Sequence, residues 1–169
     1  MAKTERRVSV DTCVFVNVLT RGTGDDPHQL PASAALLSAA ERGEFPIFIS
    51  AITIAEVFGA PKVRGDDIVR RQRRENVRAA RAWLADGRFR VVEVDTTLAR
   101  AAAELAVQHQ LKGADAVVLA SALRAGSEAL YTWDKGLLKI GDRIAGIVVA
   151  TPEHAPTNHD LFSASELPA

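Results

Sequence analysis

Arg7-Val8-Ser9-Val10-Asp11-Thr12-Cys13-Val14-Phe15-Val16-Asn17-Val18-Leu19 is the stretch that decides the fold. Residues 7–10 read as a short buried strand and residues 12–19 as the helix that follows it, with Asp11 directly at the strand's carboxyl end. The same strand-then-helix grammar continues outward. Residues 45–49 read as a second short strand, 88–94 as an alternating one, and 129–131 and 147–149 as two more. Between them, Pro31 introduces a helix over 32–42 that Gly43 stops, and helices follow over 52–58 and over the basic stretch 67–85. Asp95 or Thr96 caps a helix running to about residue 110, and residues 114–124 form another, closed by Gly126. Strands alternating with helices require crossover connections. The expected class is therefore α/β, a three-layer α/β/α arrangement with a mostly parallel sheet and helices on both faces. In such sheets ligands bind beyond the carboxyl ends of the strands, where the strand order reverses.

The chain has 169 residues, 47% hydrophobic and 25% charged, a balance that excludes a disordered chain and predicts one domain. Its expected span is residues 1–150. Residues 151–169 contain no Lys or Arg, three acids and three prolines, and are expected to form a polar, loose C-terminal tail. The single cysteine, Cys13, excludes an internal disulfide and a thiolate cluster, so any metal must be held by oxygen or nitrogen; a reducing cytoplasm is the expected location. No signal-peptide hydrophobic region can be drawn before Asp11, and the apolar stretches 46–55 and 114–123 fall well short of the roughly 20 residues a spanning helix needs, so no membrane association is expected. Formal charge is zero, which excludes a general electrostatic attraction to nucleic acid. Residues 62–81, however, hold eight basic against three acidic side chains, a local excess of +5, and form an Arg-rich helical region.

Four acids stand out by position. Asp11 and Asp134 each follow a strand, and Glu56 and Asp115 are lone acids in otherwise apolar helical turns. Each has an ordinary structural explanation: Asp11 and Asp115 as helix caps, Glu56 in a buried pair with an arginine, Asp134 as a turn residue before Gly136. Taken together they are hard to neutralise from nearby sequence, because no basic residue lies within five positions of Glu56. An ionised carboxylate in apolar surroundings is almost always paired, protonated or bound to metal. Oxygen ligands without histidine or thiolate select Mg²⁺, with Mn²⁺ the alternative. A divalent ion in such a pocket suits phosphodiester hydrolysis, and the Arg-rich helix, with Arg70, Arg71, Arg73 and Arg74, is placed to track a nucleic-acid backbone. A solvated helix face with Trp83 and Leu84 turned inward is the competing reading of that segment.

Val10-Asp11-Thr12, Ile54-Ala55-Glu56-Val57, Gly113-Ala114-Asp115-Ala116 and Tyr131-Thr132-Trp133-Asp134 resemble, in order, the four acidic motifs of PIN-domain ribonucleases, with the nearest likeness to VapC toxins of bacterial toxin–antitoxin modules. The resemblance covers about residues 8–150. It implies a parallel sheet and a metal-dependent endoribonuclease in which Asp11, Glu56, Asp115 and Asp134 bind one or two Mg²⁺ or Mn²⁺ ions that activate water for RNA cleavage. Thr12 and Thr132 become the supporting hydroxyl residues, whereas Cys13 departs from the Ser or Asn often found there. An RNA substrate, a cognate antitoxin protein and a homodimer follow from the same resemblance. Asp95 matches the family's capping acid and is left out of the site.

Two other phosphate-handling classes fit less well. A haloacid-dehalogenase-like phosphatase needs a second Asp where this chain has Cys13, and a phosphoacceptor receiver domain needs a phosphorylated acid where Asp95 leads into a helix. The remaining alternatives are a PIN-like RNA-binding or protein-binding module without nuclease activity, and a housekeeping PIN nuclease.

Overall fold

Val8 and Val10 are almost wholly buried because they lie on the central strand of the sheet. The computed structural model of the chain describes residues 6–22, 28–65, 70–85 and 87–155. The first half runs β1 (Val8–Val10), α1 (Thr12–Leu19), α2 (Gln29–Glu41), β2 (Ile47–Ser50), α3 (Ala51–Gly59), α4 (Pro61–Arg64) and α5 (Arg70–Ala85). The second runs β3 (Phe89–Val92), α6 (Thr96–His109), α7 (Gly113–Arg124), β4 (Ala129–Tyr131), α8 (Lys135–Leu138) and β5 (Val148–Ala150), followed by a 3₁₀ turn at Pro152–His154.

The five strands form one sheet in the order β3-β2-β1-β4-β5, and every pairing is parallel. Register places Val8 beside both Ile47 and Ala129, and Val10 beside Tyr131. The period-2 alternation of strand side chains then divides the core. Val8, Val10, Ile47, Ile49, Ala129 and Tyr131 pack with Phe15, Leu36, Leu37, Val57 and Ala80 beneath α1, α2, α3 and α5. Leu130 and Val149 face the other way and pack with Leu119, Leu137 and Ile140 beneath α7 and α8. Burial on both faces is what a parallel sheet covered by crossover helices demands. Polar side chains inside it are paired: Ser9 with Ser127 across 2.8 Å, and Ser121 with Ser50 across 2.9 Å.

The α/β class with a parallel sheet is as the sequence predicts, with differences at element ends. Helix α2 begins at Gln29, three residues ahead of the expected start, and holds Pro31 within its first turn, where a missing N–H breaks no intrahelical bond. Strand β2 begins at Ile47, after Pro46, which has no N–H to give to a ladder. The expected start of the basic helix, 67–69, lies outside the described residues. The four-residue helices α4 and α8 are too short to show a period in sequence. Of the expected loose tail, Thr151–Ala155 is described: Pro152 is buried, and it lines a groove against Pro31, Leu36 and Ala39 of α2. Residues 156–169 lie outside the described residues. No described helix is long and apolar enough to cross a membrane.

Candidate active site

Winding proceeds from β1 outward to β2 and β3, then returns to the other side of β1 for β4 and β5. The reversal therefore falls between the carboxyl ends of β1 and β4, where a crevice opens. Asp11 ends one of these strands and Asp134 follows the other by three residues.

Asp11 is the N-cap of α1 and is 7% exposed. Its Oδ1 accepts the Thr12 N–H at 2.7 Å, and its Oδ2 accepts the Thr132 hydroxyl at 2.6 Å and the Cys13 thiol at 3.2 Å. Burial raises its pKa; the bonds from Thr132, Cys13 and the Thr12 N–H act against that rise, and the negative charge of Asp134 adds to it. Thr132, fully buried, is the joint between the two strand ends, because the oxygen that donates to Asp11 also accepts the Asp134 N–H at 2.8 Å. Cys13 sits where a polar residue was the expectation and still works as one: Sγ donates to Asp11 and accepts the Trp133 N–H at 3.2 Å. Burial and the Asp11 charge raise its pKa far above the ordinary thiol range, so Cys13 is a packed neutral thiol and not a nucleophile.

Asp134 caps α8, its Oδ1 accepting the N–H groups of Gly136 at 2.7 Å and Leu137 at 3.0 Å. Gly136 is required by proximity: a Cβ there would stand 2.8 Å from Asp134 Oδ1 and 3.9 Å from Asp115 Oδ2. The same geometry shows that Asp115, in the first turn of α7, reaches the Asp134 side of the crevice. Glu56, on α3 beyond β2, is drawn in by the Thr12 hydroxyl, which donates to Oε2 at 2.6 Å. One field unites all four. The pKa of Asp115 is pushed up to about 6, first by burial, then by the charges of Asp134 and Asp11 and more weakly by Glu56, against a lowering contribution from Lys112.

Among the described residues none of the four acids forms an ion pair with Lys or Arg. Nor do three of the described His, Cys, Asp or Glu side chains converge tightly enough to hold a metal ion as they stand. Carboxylates that are not ion-paired repel one another, which disfavours a tighter cluster until a cation joins them. Their chemistry, oxygen donors at the rim of a water-accessible crevice, fits a hard divalent cation and no softer one. The ordinary alternatives hold in part: Asp11 and Asp134 are both caps, but Asp115 is not, and Glu56 is bonded to a hydroxyl instead of an arginine.

The four predicted arginines all lie exposed on α5. Arg73 and Arg74 line a groove with Arg78, Arg81 and Val77, whereas Arg70 and Arg71 stand outside it and Arg71 pairs with Glu75 at 3.1 Å. Asp95 caps α6 by accepting the Leu98 N–H at 2.7 Å and bonds Arg124 at 2.9 Å, which lowers its pKa. Sequence reasoning missed a cleft of about 440 Å³ that borders the site at Cys13 and Asp134 and is lined further by Asn17, Gln29, Lys62, Trp133 and Lys135. The available signal was Asn17, an amide in the otherwise apolar helix Thr12–Leu19, one turn beyond Cys13.

Comparison with known proteins bears on this arrangement. Residues 8–143 match the family profile of the PIN domain. A toxin–antitoxin complex from Klebsiella pneumoniae is similar in structure, with 23% identity, a TM-score of 0.56, and coverage of 86% of this chain and 97% of that one. Mycobacterium tuberculosis VapC20, described as a sarcin–ricin loop cleaving toxin, aligns at 22% identity and a TM-score of 0.57 over 75% of this chain and 89% of its own. FitAB bound to a DNA fragment aligns at 21% identity and a TM-score of 0.60 over 90% and 99%. At these identities the likeness is one of fold. No curated protein sequence matches the chain significantly. With the profile spanning most of its length and the acids gathered at the β1/β4 reversal, the chain belongs to the PIN-domain family.

Proposed function

We propose that the protein is a divalent-cation-dependent endoribonuclease, and the toxin of a toxin–antitoxin pair. The observation that supports this best is that Asp11, Glu56, Asp115 and Asp134 share one electrostatic field and that none of them is ion-paired to a described Lys or Arg. Asp11, Glu56, Asp115 and Asp134 are the catalytic, cation-holding acids, and Thr12 and Thr132 hold Glu56 and Asp11 in place. A bound Mg²⁺ or Mn²⁺ supplies electrostatic stabilisation of the phosphodiester and makes water a better nucleophile.

The chain's own residues set the stage for that ion. The N–H groups of Thr12, Gly136 and Leu137 fix one oxygen of Asp11 and one of Asp134, each at a helix N-terminus whose partial positive charge offsets crowding of the carboxylates. Asp115, held up at about 6 by burial and by the charges of Asp134 and Asp11, ionises more fully when a cation arrives. Arg73 and Arg74, with Arg70 and Arg71 nearby, contact the RNA backbone. The structural relatives include toxin–antitoxin assemblies, and the same carboxylates suit an inhibitory antitoxin that inserts an Arg, whose fork binds two carboxylate oxygens at once. A homodimer is the expected assembly. The single-domain span of 1–150 is likewise part of the proposal.

Purified protein is expected to cut RNA with Mg²⁺ or Mn²⁺ and to stop on chelation, and Asp11→Asn protein is expected to be inactive. Equal cleavage by the variant would assign the activity to a contaminant and leave a binding module as the reading. Growth arrest on expression, relieved by the product of an adjacent gene, tests the toxin assignment separately; unaffected growth would favour a housekeeping nuclease.

A further inference from the structure

The cleft beside the acids is chemically unlike them. Helix α1 contributes one face to it through Cys13, Asn17 and Thr20, the start of α2 contributes Gln29, α4 contributes Lys62, and the β4–α8 turn contributes Trp133 and Lys135. Its volume of about 440 Å³ lies in the range of small-ligand sites and accommodates one nucleotide. We propose that this cleft is a base-reading subsite for RNA, in which Asn17 and Gln29 hydrogen-bond an adenine edge next to the scissile phosphate and Lys62 and Lys135 hold the flanking phosphates. The proposal rests on the nuclease reading for its substrate class and adds a specificity device to it.

Three observations support the assignment. First, Asn17 Oδ1 is buried and accepts no hydrogen bond among the described residues. Buried amides are normally satisfied, and Asn17 also lines the cleft, so its amide has an acceptor still unused at the cleft wall. Second, Trp133 lines the cleft and its indole N–H donates to Ser33 Oγ at 2.9 Å, which fixes the ring's place in the wall. Third, two lysines line a cleft whose neighbouring site carries four acids. A polyanion is thereby held beside the carboxylates instead of being repelled from them. A side-chain amide carries one acceptor and one donor side by side, which matches the N6 and N7 edge of adenine. A lysine pair, a fixed indole and two side-chain amides together are the chemistry of a nucleotide site.

The test is equilibrium binding of short fluorescent oligoribonucleotides, oligo(A), oligo(U) and oligo(C) of equal length, in chelator so that no cleavage occurs. The parent protein is expected to bind oligo(A) about tenfold more tightly than oligo(U). Asn17→Leu, close to isosteric and removing an unsatisfied buried acceptor, and Gln29→Ala are each expected to abolish that preference while leaving oligo(U) affinity unchanged. Lys62→Gln with Lys135→Gln is expected to weaken all three oligomers alike. A parent protein without base preference, or Asn17 and Gln29 variants that keep it, overturns the proposal whether or not the protein cleaves RNA. Variants that leave RNA binding intact but lose the product of the adjacent gene would assign the cleft to a protein partner instead. Conversely, base preference lost in the Asn17 variant of a protein that never cleaves would uphold the subsite and overturn the nuclease.

Discussion

Replacing Asp115 by Asn is expected to make the cation-free protein more stable, although the same change should destroy its activity. The Asp115 carboxyl is held at about 6 against an ordinary 3.8, by burial and by the charges of Asp134, Asp11 and Glu56. In the unfolded chain it ionises near 3.9. Below pH 4 the carboxyl is protonated in both states and costs the fold nothing; as pH rises from 4 to 6 the unfolded chain ionises first, and above 6 the folded protein carries the whole penalty. Stability from this group therefore falls as pH rises through that window. At about 1.4 kcal/mol per pH unit the gap corresponds to about 3 kcal/mol, and because the side chain is only half-buried, solvent screening reduces it to roughly 1–2 kcal/mol.

For a domain of this size, that is roughly 2–8 °C in Tm. The assay is thermal unfolding of parent and Asp115→Asn proteins in chelator at pH 8 and pH 4. The variant should melt higher at pH 8, and the difference should vanish at pH 4. Saturating Mg²⁺ should then raise the parent's Tm more than the variant's, because a ligand that binds only the folded state stabilises in proportion to its affinity. A variant no more stable than the parent at pH 8, or equally stabilised at both pH values, would show that Asp115 carries no like-charge load, and the single-field account of the site would fail.

Gly136→Ala should push Asp134 out of position, since the new Cβ falls 2.8 Å from Oδ1; RNA cleavage should drop at least tenfold, and full activity in this variant would mean the crevice is looser than drawn. Thr132→Val removes both the donor to Asp11 and the acceptor for the Asp134 N–H, a loss of about 1–3 kcal/mol in stability together with most of the activity, and Thr132→Ser should restore both. A Ser variant no better than Val would assign Thr132 to packing alone. Gln at Arg73 and Arg74 should weaken RNA binding and lower the log–log salt slope by roughly 0.7 per lost phosphate contact, more than Gln at Arg70 and Arg71; an unchanged slope places the cluster on a solvated face.

How much of this was legible in the sequence depends on the range of the interaction. Strands β1 and β4 and helices α1, α3, α6 and α7 were readable because apolar period and chain punctuation are local, and so were the four acids, each conspicuous in apolar surroundings. The ends shifted where proline's missing N–H has opposite effects, harmless inside the first turn of α2 and limiting at the start of β2. What could not be read are contacts between distant positions. Thr12 and Glu56 are 44 residues apart and Asp11 and Thr132 are 121 apart, so only the resemblance singled out those hydroxyls, without their partners. The Asn17 cleft escaped for the same reason: its walls come from four separate segments, and no single one of them departs from ordinary composition.

The capping explanation and the active-site explanation of Asp11 and Asp134 turn out to be one arrangement. A cap needs a carboxylate oxygen directed at free N–H groups, which in a parallel sheet lie just past each strand's carboxyl end, where the crevice also opens. Meeting that need occupies Oδ1 of each residue and orients the rest of the carboxyl across the β1/β4 reversal. The helix ends then offset part of the repulsion that four gathered carboxylates create. Asp115 caps nothing, and burial with the charges of Asp134 and Asp11 raises it to about 6; Asp11, although capped, is raised as well, because burial outweighs its hydrogen bonds. The fold thus tolerates the charge cluster by capping two of its members, tying Glu56 to a threonine, and leaving Asp115 to titrate.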